Sequence, residues 1–462
     1  MESKNSQEIE DALRALSLDG TLVLPGDPDW DAARQAWHLN LDQRPVAVVR
    51  AGSEYDVVAV VDAARQLGLR VAPQTTGHNG DPLGSLAGTI LLKTSALREV
   101  TIDREAKIAR VEAGALWQDV TEAAEPHGLM GLAGTARDVG VVGYLLGGGL
   151  SWFVRSHGLA TNQITAVELV TADGKQRRVD QSHEPDLFWA LRGGGGSFGI
   201  VTALEFRLFP IEQLYAGVLW WPRESAKEVL QAWRTWTASV PEEITSIARL
   251  LSMPPLPQIP EPLRGKQFVM VEATSQLSKD ETDEWLAPLR ELKPDMDTFQ
   301  PMKPSDLWML HMDPEQPVPG TGDGALLSEL PAAAIDAIVD NAGPALATVE
   351  LRHLGGAAAV PAVNPGAVTA FEAGYSFLTG GAAFDEQSTT ATHTAVDLLL
   401  EALTNWLDEV AYQNFVTSPV PGDVMFGAEV YQRLQQIKDE YDPANLIRAN
   451  HSIEPGSGLS SN

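Results

Sequence analysis

Pro73-Gln74-Thr75-Thr76-Gly77-His78-Asn79-Gly80 is the stretch that decides how this chain is read. Small residues and glycines let backbone amides approach a phosphate and turn several of them inward. A histidine ending such a loop can reach whatever the phosphates carry, although a lone loop histidine is more often a surface or packing residue. Just upstream, residues 46–50 make a predicted strand. Ser53 is placed to cap a helix reaching about residue 67, with Asp56 in the capping-box region and Gly68 as the stop. Residues 70–74 form a second strand, so the loop closes a strand–helix–strand unit.

Beyond the loop, strands are expected near 97–102 and 107–111, joined by a polar turn at 103–106, and a helix over 115–124 ending near Gly128. Residues 131–151 are rich in glycine and poor in charge, with Gly140-Val141-Val142-Gly143 and Gly147-Gly148-Gly149. Glycine at that density is costly in backbone entropy and marks close approach to a ligand or another backbone. The interleaved Val, Tyr and Leu favour packing over a flexible loop. A hairpin over 168–179 turns at Asp173-Gly174, a short helix covers Pro185–Leu191, and a strand runs from Ile200 to about 208. Between these last two, Gly194, Gly196 and Gly199 spell Gly-x-Gly-x-x-Gly. A dinucleotide-binding turn needs a strand before it and a helix after it. Here the order is reversed, which argues against a nicotinamide dehydrogenase.

Past residue 210 the character changes. Proline-rich connections at 253–262 and 314–324 separate mixed patterns, with helices expected near 223–237, 280–292, 328–341 and 388–410. The division is therefore 1–210, an inserted second domain at 211–410, and a segment at 411–462 that returns to the first domain. The helix at 429–437 leads to Tyr441-Asp442-Pro443-Ala444-Asn445-Leu446, which ends it.

At 462 residues, 44% hydrophobic and 21% charged, the chain is sized and composed for two or three globular units. A net charge of -29 disfavours nucleic acid and anionic membranes as partners. With no cysteine, disulfides, thiolate metal sites and cysteine nucleophiles are excluded, and no metal site is expected. Residues 1–20 do not read as a signal peptide and no run is apolar enough to span a bilayer, so a cytoplasmic protein is expected.

Five motifs in order resemble the vanillyl-alcohol-oxidase superfamily, in its berberine-bridge-enzyme-like branch. They are Gly77-His78, the Val-Gly-Val-x-Gly and triple-glycine segment at 139–149, Thr-Ala-Asp-Gly at 171–174, Pro-Asp-Leu-Phe-Trp-Ala-Leu-Arg-Gly-Gly-Gly-Gly at 185–196, and Tyr-Asp-Pro-x-Asn-Leu at 441–446. The resemblance covers about 36–210 and 411–455. It implies an α+β fold: a two-lobed PCMH-type FAD-binding domain with an inserted α+β substrate domain whose antiparallel sheet covers the flavin. It also implies that Thr75, Thr76, Gly77, Asn79 and Gly80 meet the pyrophosphate and that His78 bonds covalently to FAD, raising its potential and preventing its loss. Val139, Gly140, Val142, Gly143, Gly148, Gly149, Ile200 and Asn450, with His451 beside it, are expected at the cofactor. Many relatives add a second link through a cysteine where this chain has Ala136; here a double link is impossible, and noncovalent FAD is the alternative to the single one. A small residue at Val139 leaves room for oxygen and favours an oxidase, though a core valine reads as well.

Flavin oxidation of a carbon next to oxygen or nitrogen needs a base for the heteroatom proton. The resemblance puts Tyr144 and Tyr412, the latter in Tyr-Gln-Asn-Phe, beside the ring as catalytic candidates. No carboxylate base is evident in 375–381. Arg352, His353 and Glu372 could meet the substrate, with exposed or structural roles the stronger reading. The expected function is an FAD-dependent oxidase taking a small alcohol, amine or saccharide, secondary metabolites included, with molecular oxygen as the acceptor. A flavin dehydrogenase slow with oxygen, or a flavin-fold protein without turnover, are the alternatives.

Overall fold

Val57, Val60, Val61 and Ala64 are buried along one side of the helix Glu54–Leu67, the spacing of an apolar stripe at helical period. The stripe packs on a four-stranded sheet with Val49, Val71 and Ile90 in the same cluster. The structure, a computed structural model, describes residues 6–456 except 212, 256, 258 and 260; part of the expected connection at 253–262 thus lies outside the described residues. The sheet runs Thr21–Val23, Ala47–Arg50, Thr89–Lys93, Arg70–Gln74, its last three strands mutually parallel. The expected strand–helix–strand unit is there, with one correction at the helix start. Ser53 makes no side-chain cap. Asp56 reaches back over the turn instead and accepts from the amides of Asp19, Gly20 and Gly52 at 2.7–2.8 Å, because a carboxylate satisfies several orphan donors where a hydroxyl satisfies one.

A second, five-stranded antiparallel sheet follows, in the order Val100–Asp103, Ile108–Glu112, Ile200–Arg207, Ile164–Val170, Gln176–Asp180. The helix Pro185–Leu191 forms as expected. The glycine-rich turn after it is a junction. Gly195 N–H donates to the Leu146 carbonyl at 3.1 Å, and the buried Lys438 ammonium donates to the Ser197 carbonyl at 2.7 Å.

Residues 215–382 supply an eight-stranded sheet whose central strands are Tyr215–Pro222, Gln267–Ser275, Ile244–Ser252, Thr348–His353, Tyr375–Ala382 and Gly320–Leu327. The helices Ala226–Thr237, Lys279–Arg290, Ala332–Asn341 and Glu386–Leu403 contribute buried residues to one apolar cluster with Val269, Val271, Val349 and Leu351. Side chains alternate across a strand. Glu272, Glu350 and Arg352 therefore point the other way, as does Arg249 beside Ala248 and Leu250, onto the face where Ile247 and Met270 join the core of the first half.

The chain then returns. Asp442, at the end of the helix Ala428–Tyr441, accepts from the amides of Leu446 and Ile447 at 2.8 Å each and from Lys438 at 2.6 Å. Ile447 bridges to Val71 in parallel, adding an edge to the strand that carries the His78 loop. Most helices stand where they were expected within a few residues; the one expected over 388–410 is Glu386–Leu403, followed by a 3-10 turn at Thr404–Trp406, and the mixed helix-and-sheet class is the one expected.

Candidate functional site

Gly77 adopts φ +83°, a conformation side chains rarely take, and a Cβ there would lie 2.9 Å from that of Ala36. This turn swings His78 back over Trp37, whose ring stacks on the imidazole at 4.1 Å. Nδ1 of His78 is hydrogen-bonded to the Thr76 hydroxyl at 2.8 Å. Nε2 is buried with no hydrogen-bond partner; the nearest carboxylate oxygen, on Asp138, is 3.8 Å away. Burial, and then the charge of His38, pushes the ring's pKa down to about 3, so the imidazole is neutral with a lone pair to offer. The Thr75 hydroxyl is held by the Ala113 carbonyl at 2.8 Å. Two stretches of the returning segment pin the loop: Asn79 donates to the Gln413 carbonyl at 2.8 Å, and Asn450 donates to the Asn79 carbonyl.

The glycine-rich segment lies against this loop. Gly140 caps the short helix Val141–Leu146, and a Cβ on it would stand 3.2 Å from Thr75. Gly143 faces open space, Val142 and Ile200 are buried, and the Val139 carbonyl accepts from Trp117 N–H at 3.1 Å. Gly148 and Gly149 each lie under a tyrosine ring, which favours glycine there whatever else the backbone meets. At Gly149, with φ +77°, a Cβ would meet Tyr144 at 2.6 Å and Ala160 at 2.8 Å. Gly149→Ala is expected to cost roughly 2 kcal/mol from strain plus overpacking, read as a lower urea midpoint.

The two candidate tyrosines differ in what their hydroxyls do. Tyr144 donates to the Leu132 carbonyl at 3.0 Å, and burial followed by the neighbouring Tyr412 raises its pKa well above the usual phenol. Its proton is committed. Tyr412 is an acceptor twice over, from Leu150 N–H at 3.1 Å and Asn414 Nδ2 at 3.0 Å. Burial pushes its pKa up to about 12, while those donors and the charge of Arg352 pull it down. Two N–H groups on one phenol oxygen are the arrangement that would hold a phenolate.

The eight-stranded sheet supplies charges of which the sequence reading singled out Arg352 alone. Arg249, Glu272, Glu350 and Arg352 share one face, and His311 from the short helix Trp308–His311 inserts among them. His311 Nδ1 lies 2.5 Å from Glu272 and Nε2 lies 3.0 Å from Glu350. Arg249 pairs with Glu272 at 2.9 Å, and Arg352 with Glu350 at 2.9 Å. Burial and Arg249 oppose a charge on His311, but Glu272 and Glu350 prevail and raise its pKa to about 9. Burial likewise opposes the Glu350 carboxylate, yet His311 and Arg352 hold it well below the usual range. Arg352 also lies 4.7 Å over the Phe415 ring. His353, by contrast, is tied to Arg155 at 2.7 Å, a structural role, and Glu372 is exposed.

The sign of the pH dependence follows. His311, raised, adds stability that is complete below its ordinary 6.5 and lost as pH climbs through about 9. Glu350, depressed, adds stability present above its ordinary 4.5 and lost at lower pH. Urea midpoints are expected to be highest between these two values and to fall toward pH 10, and His311→Gln is expected to remove the alkaline fall.

Thr135 and Trp152 line two adjoining cavities. The larger, about 70 Å³, has Trp117, Phe153 and Trp308 in its wall, with Ala136 where a second link would need a cysteine. The smaller, about 10 Å³, ends on Arg352.

Residues 45–180, which hold the His78 loop, match the family model of an FAD binding domain. Residues 411–454, which hold Tyr412 and Asn450, match that of berberine and berberine-like proteins. An uncharacterised FAD-linked oxidoreductase, YgaK, of Bacillus subtilis is 27% identical over 95% of this chain and 97% of its own. The (R)-6-hydroxynicotine oxidase of Paenarthrobacter nicotinovorans is also 27% identical, over 95% of this chain and 98% of its own. Among solved structures, glucooligosaccharide oxidase from Acremonium strictum, described with a 6-S-cysteinyl, 8α-N1-histidyl FAD, superposes with a TM-score of 0.82 at 21% identity. That match covers 98% of this chain and 99% of the oxidase, and it shows a shared fold.

Proposed function

We propose, for a chain that belongs to the berberine-bridge-enzyme-like FAD-linked oxidoreductases, that it is an oxidase with its flavin bonded to His78 alone. The observation that carries this reading is the unpaired, buried Nε2 of a neutral His78. A buried polar atom without a partner is costly, and a covalent bond to the cofactor removes the cost. The histidyl link named for the glucooligosaccharide oxidase supports attachment to a histidine, made there through N1, the δ nitrogen that in this chain meets Thr76, and Ala136 leaves no counterpart for its cysteinyl link.

Bound FAD would supply the two-electron acceptor for a C–H bond next to oxygen or nitrogen, with molecular oxygen as the final acceptor. The chain's residues do the rest. The Thr75 to Gly80 loop and the segment from Val139 to Gly143 would hold the cofactor, Asn450 and Gln413 fix the loop, and Tyr412, in the phenolate form that its two N–H donors and Arg352 favour against burial, would take the substrate's heteroatom proton. Tyr144 supports the wall of the site through its bond to Leu132. Val139, small for a place beside the ring, favours access of oxygen.

Anaerobic reduction of the purified protein by substrate, followed by air, tests the oxidase assignment. Rapid return of the flavin colour with one peroxide per turnover is expected. Reoxidation over minutes would make the protein a dehydrogenase.

A further inference from the structure

We propose that Arg352 anchors an anionic oxygen group of an aromatic substrate, so that this protein selects aromatic carboxylates or phenolates. The inference rests on the oxidoreductase reading and names the substrate class of that site.

The argument begins with charge. His311 presents both ring nitrogens to carboxylate oxygens, and a neutral imidazole would set a lone pair against one of them. One extra proton is therefore shared within the cluster. Wherever it sits, two arginines, two glutamates and that proton leave one net positive charge buried in a chain whose overall charge is -29. The one further acid near His311 is Asp313, 3.8 Å away and about a third exposed, so solvent screens its charge in part.

The charge is directed. Arg352 gives Nε and Nη2 to one oxygen of Glu350, at 3.3 and 2.9 Å. Among the described residues, no acceptor meets its Nη1. Its guanidinium borders the small cavity behind Leu150 and Trp152, and the Phe415 ring beneath it packs edge-on to Tyr412 at 4.9 Å. A guanidinium held flat by one carboxylate and one aromatic ring, with a free edge toward a recess, matches the geometry of an incoming carboxylate or phenolate.

The recess selects the rest of the molecule. The larger cavity, which shares Thr135 and Trp152 with the small one, adds Trp117, Phe153 and Trp308, flat faces that favour a planar ring. Arg137 lies 4.0 Å over Trp308 and pairs with Glu315, so that second cation is already neutralised. Glu350, His311 and Glu272 act through Arg352 as positioning residues.

The test uses the purified holoprotein and two isosteric probes, benzoate and benzamide, followed by calorimetry and by the visible absorbance of the flavin. Benzoate is expected to bind at least tenfold more tightly than benzamide, and Arg352→Met to abolish that preference. Arg352→Lys, which retains charge without the fork, is expected to recover part of it. Melting curves on each variant separate loss of binding from loss of fold, and the parent's own preference needs no variant at all. Flavin-loaded protein that binds benzamide as well as benzoate overturns the anchor and leaves the oxidoreductase reading standing. Protein without flavin overturns that reading instead.

Discussion

Denatured His78→Ala protein is expected to have the mass of the bare polypeptide, whereas the parent carries an added mass the size of FAD. The change is all or none because the second link of relatives has no counterpart: the chain has no cysteine, and Ala136 occupies that position. The substitution should leave the fold intact. The loop is held by Asn79 and Asn450 through their amides and carbonyls, and the imidazole's own hydrogen bond reaches only Thr76, two residues away. Removing it also removes an unsatisfied buried nitrogen. A parent protein of bare mass with yellow supernatant would mean that FAD binds without a bond. An adduct surviving in His78→Ala would place the link on another residue.

Tyr412→Phe is expected to lower the rate of flavin reduction about 10²- to 10⁴-fold, the range for loss of a positioned general base, with little change in KM. Tyr144→Phe is expected to lower it less than about tenfold, since that hydroxyl already donates to Leu132 and is not available to receive a proton. Any alcohol, amine or sugar from a panel that bleaches the holoprotein serves as substrate, and anaerobic stopped-flow reads the step. The phenylalanine variant leaves Leu150 N–H and Asn414 Nδ2 without their acceptor, a cost of roughly 1–3 kcal/mol. A melting curve therefore accompanies the rate. Equal losses in both variants would remove Tyr412 from the role of base.

Much of the first half could be read from order and spacing alone. The run from 46 to 80 carries its own punctuation: an apolar stripe, a glycine stop, then a strand too short to continue. The Pro185 start and Arg192 end of a seven-residue helix are equally local. What escaped was set by partners distant in sequence. Asp56 displaced Ser53 at a helix start because amides of residues 19 and 20 come to lie over it. At Gly148 and Gly149 the rings of Tyr412 and Tyr144 leave little room for a Cβ, a packing demand that glycine density alone does not name. Residues 375–381 hold no carboxylate, while Glu350 sits one strand away, opposite Leu378. Thr348–His353 alternates cleanly, and alternation normally puts the polar side in water. Only the presence of a second layer on that side turns Glu350, Arg352 and the distant His311 into one buried cluster, and no local pattern announces such a layer.

The anchoring of the His78 loop by Gln413 and Asn450 has a consequence in time. More than 330 residues separate Asn79 from Gln413, so while the chain is being synthesised the loop emerges early and waits. Until residue 450 has left the ribosome, the strand bearing the loop lacks its neighbour at Ile447, and His78 has no fixed direction in which to present its nitrogen. The proposed attachment of the cofactor would thereby wait until residue 450 is in place, and a break that frees residues 411–454 would return the site to its nascent condition with every residue of the FAD-binding segment still present.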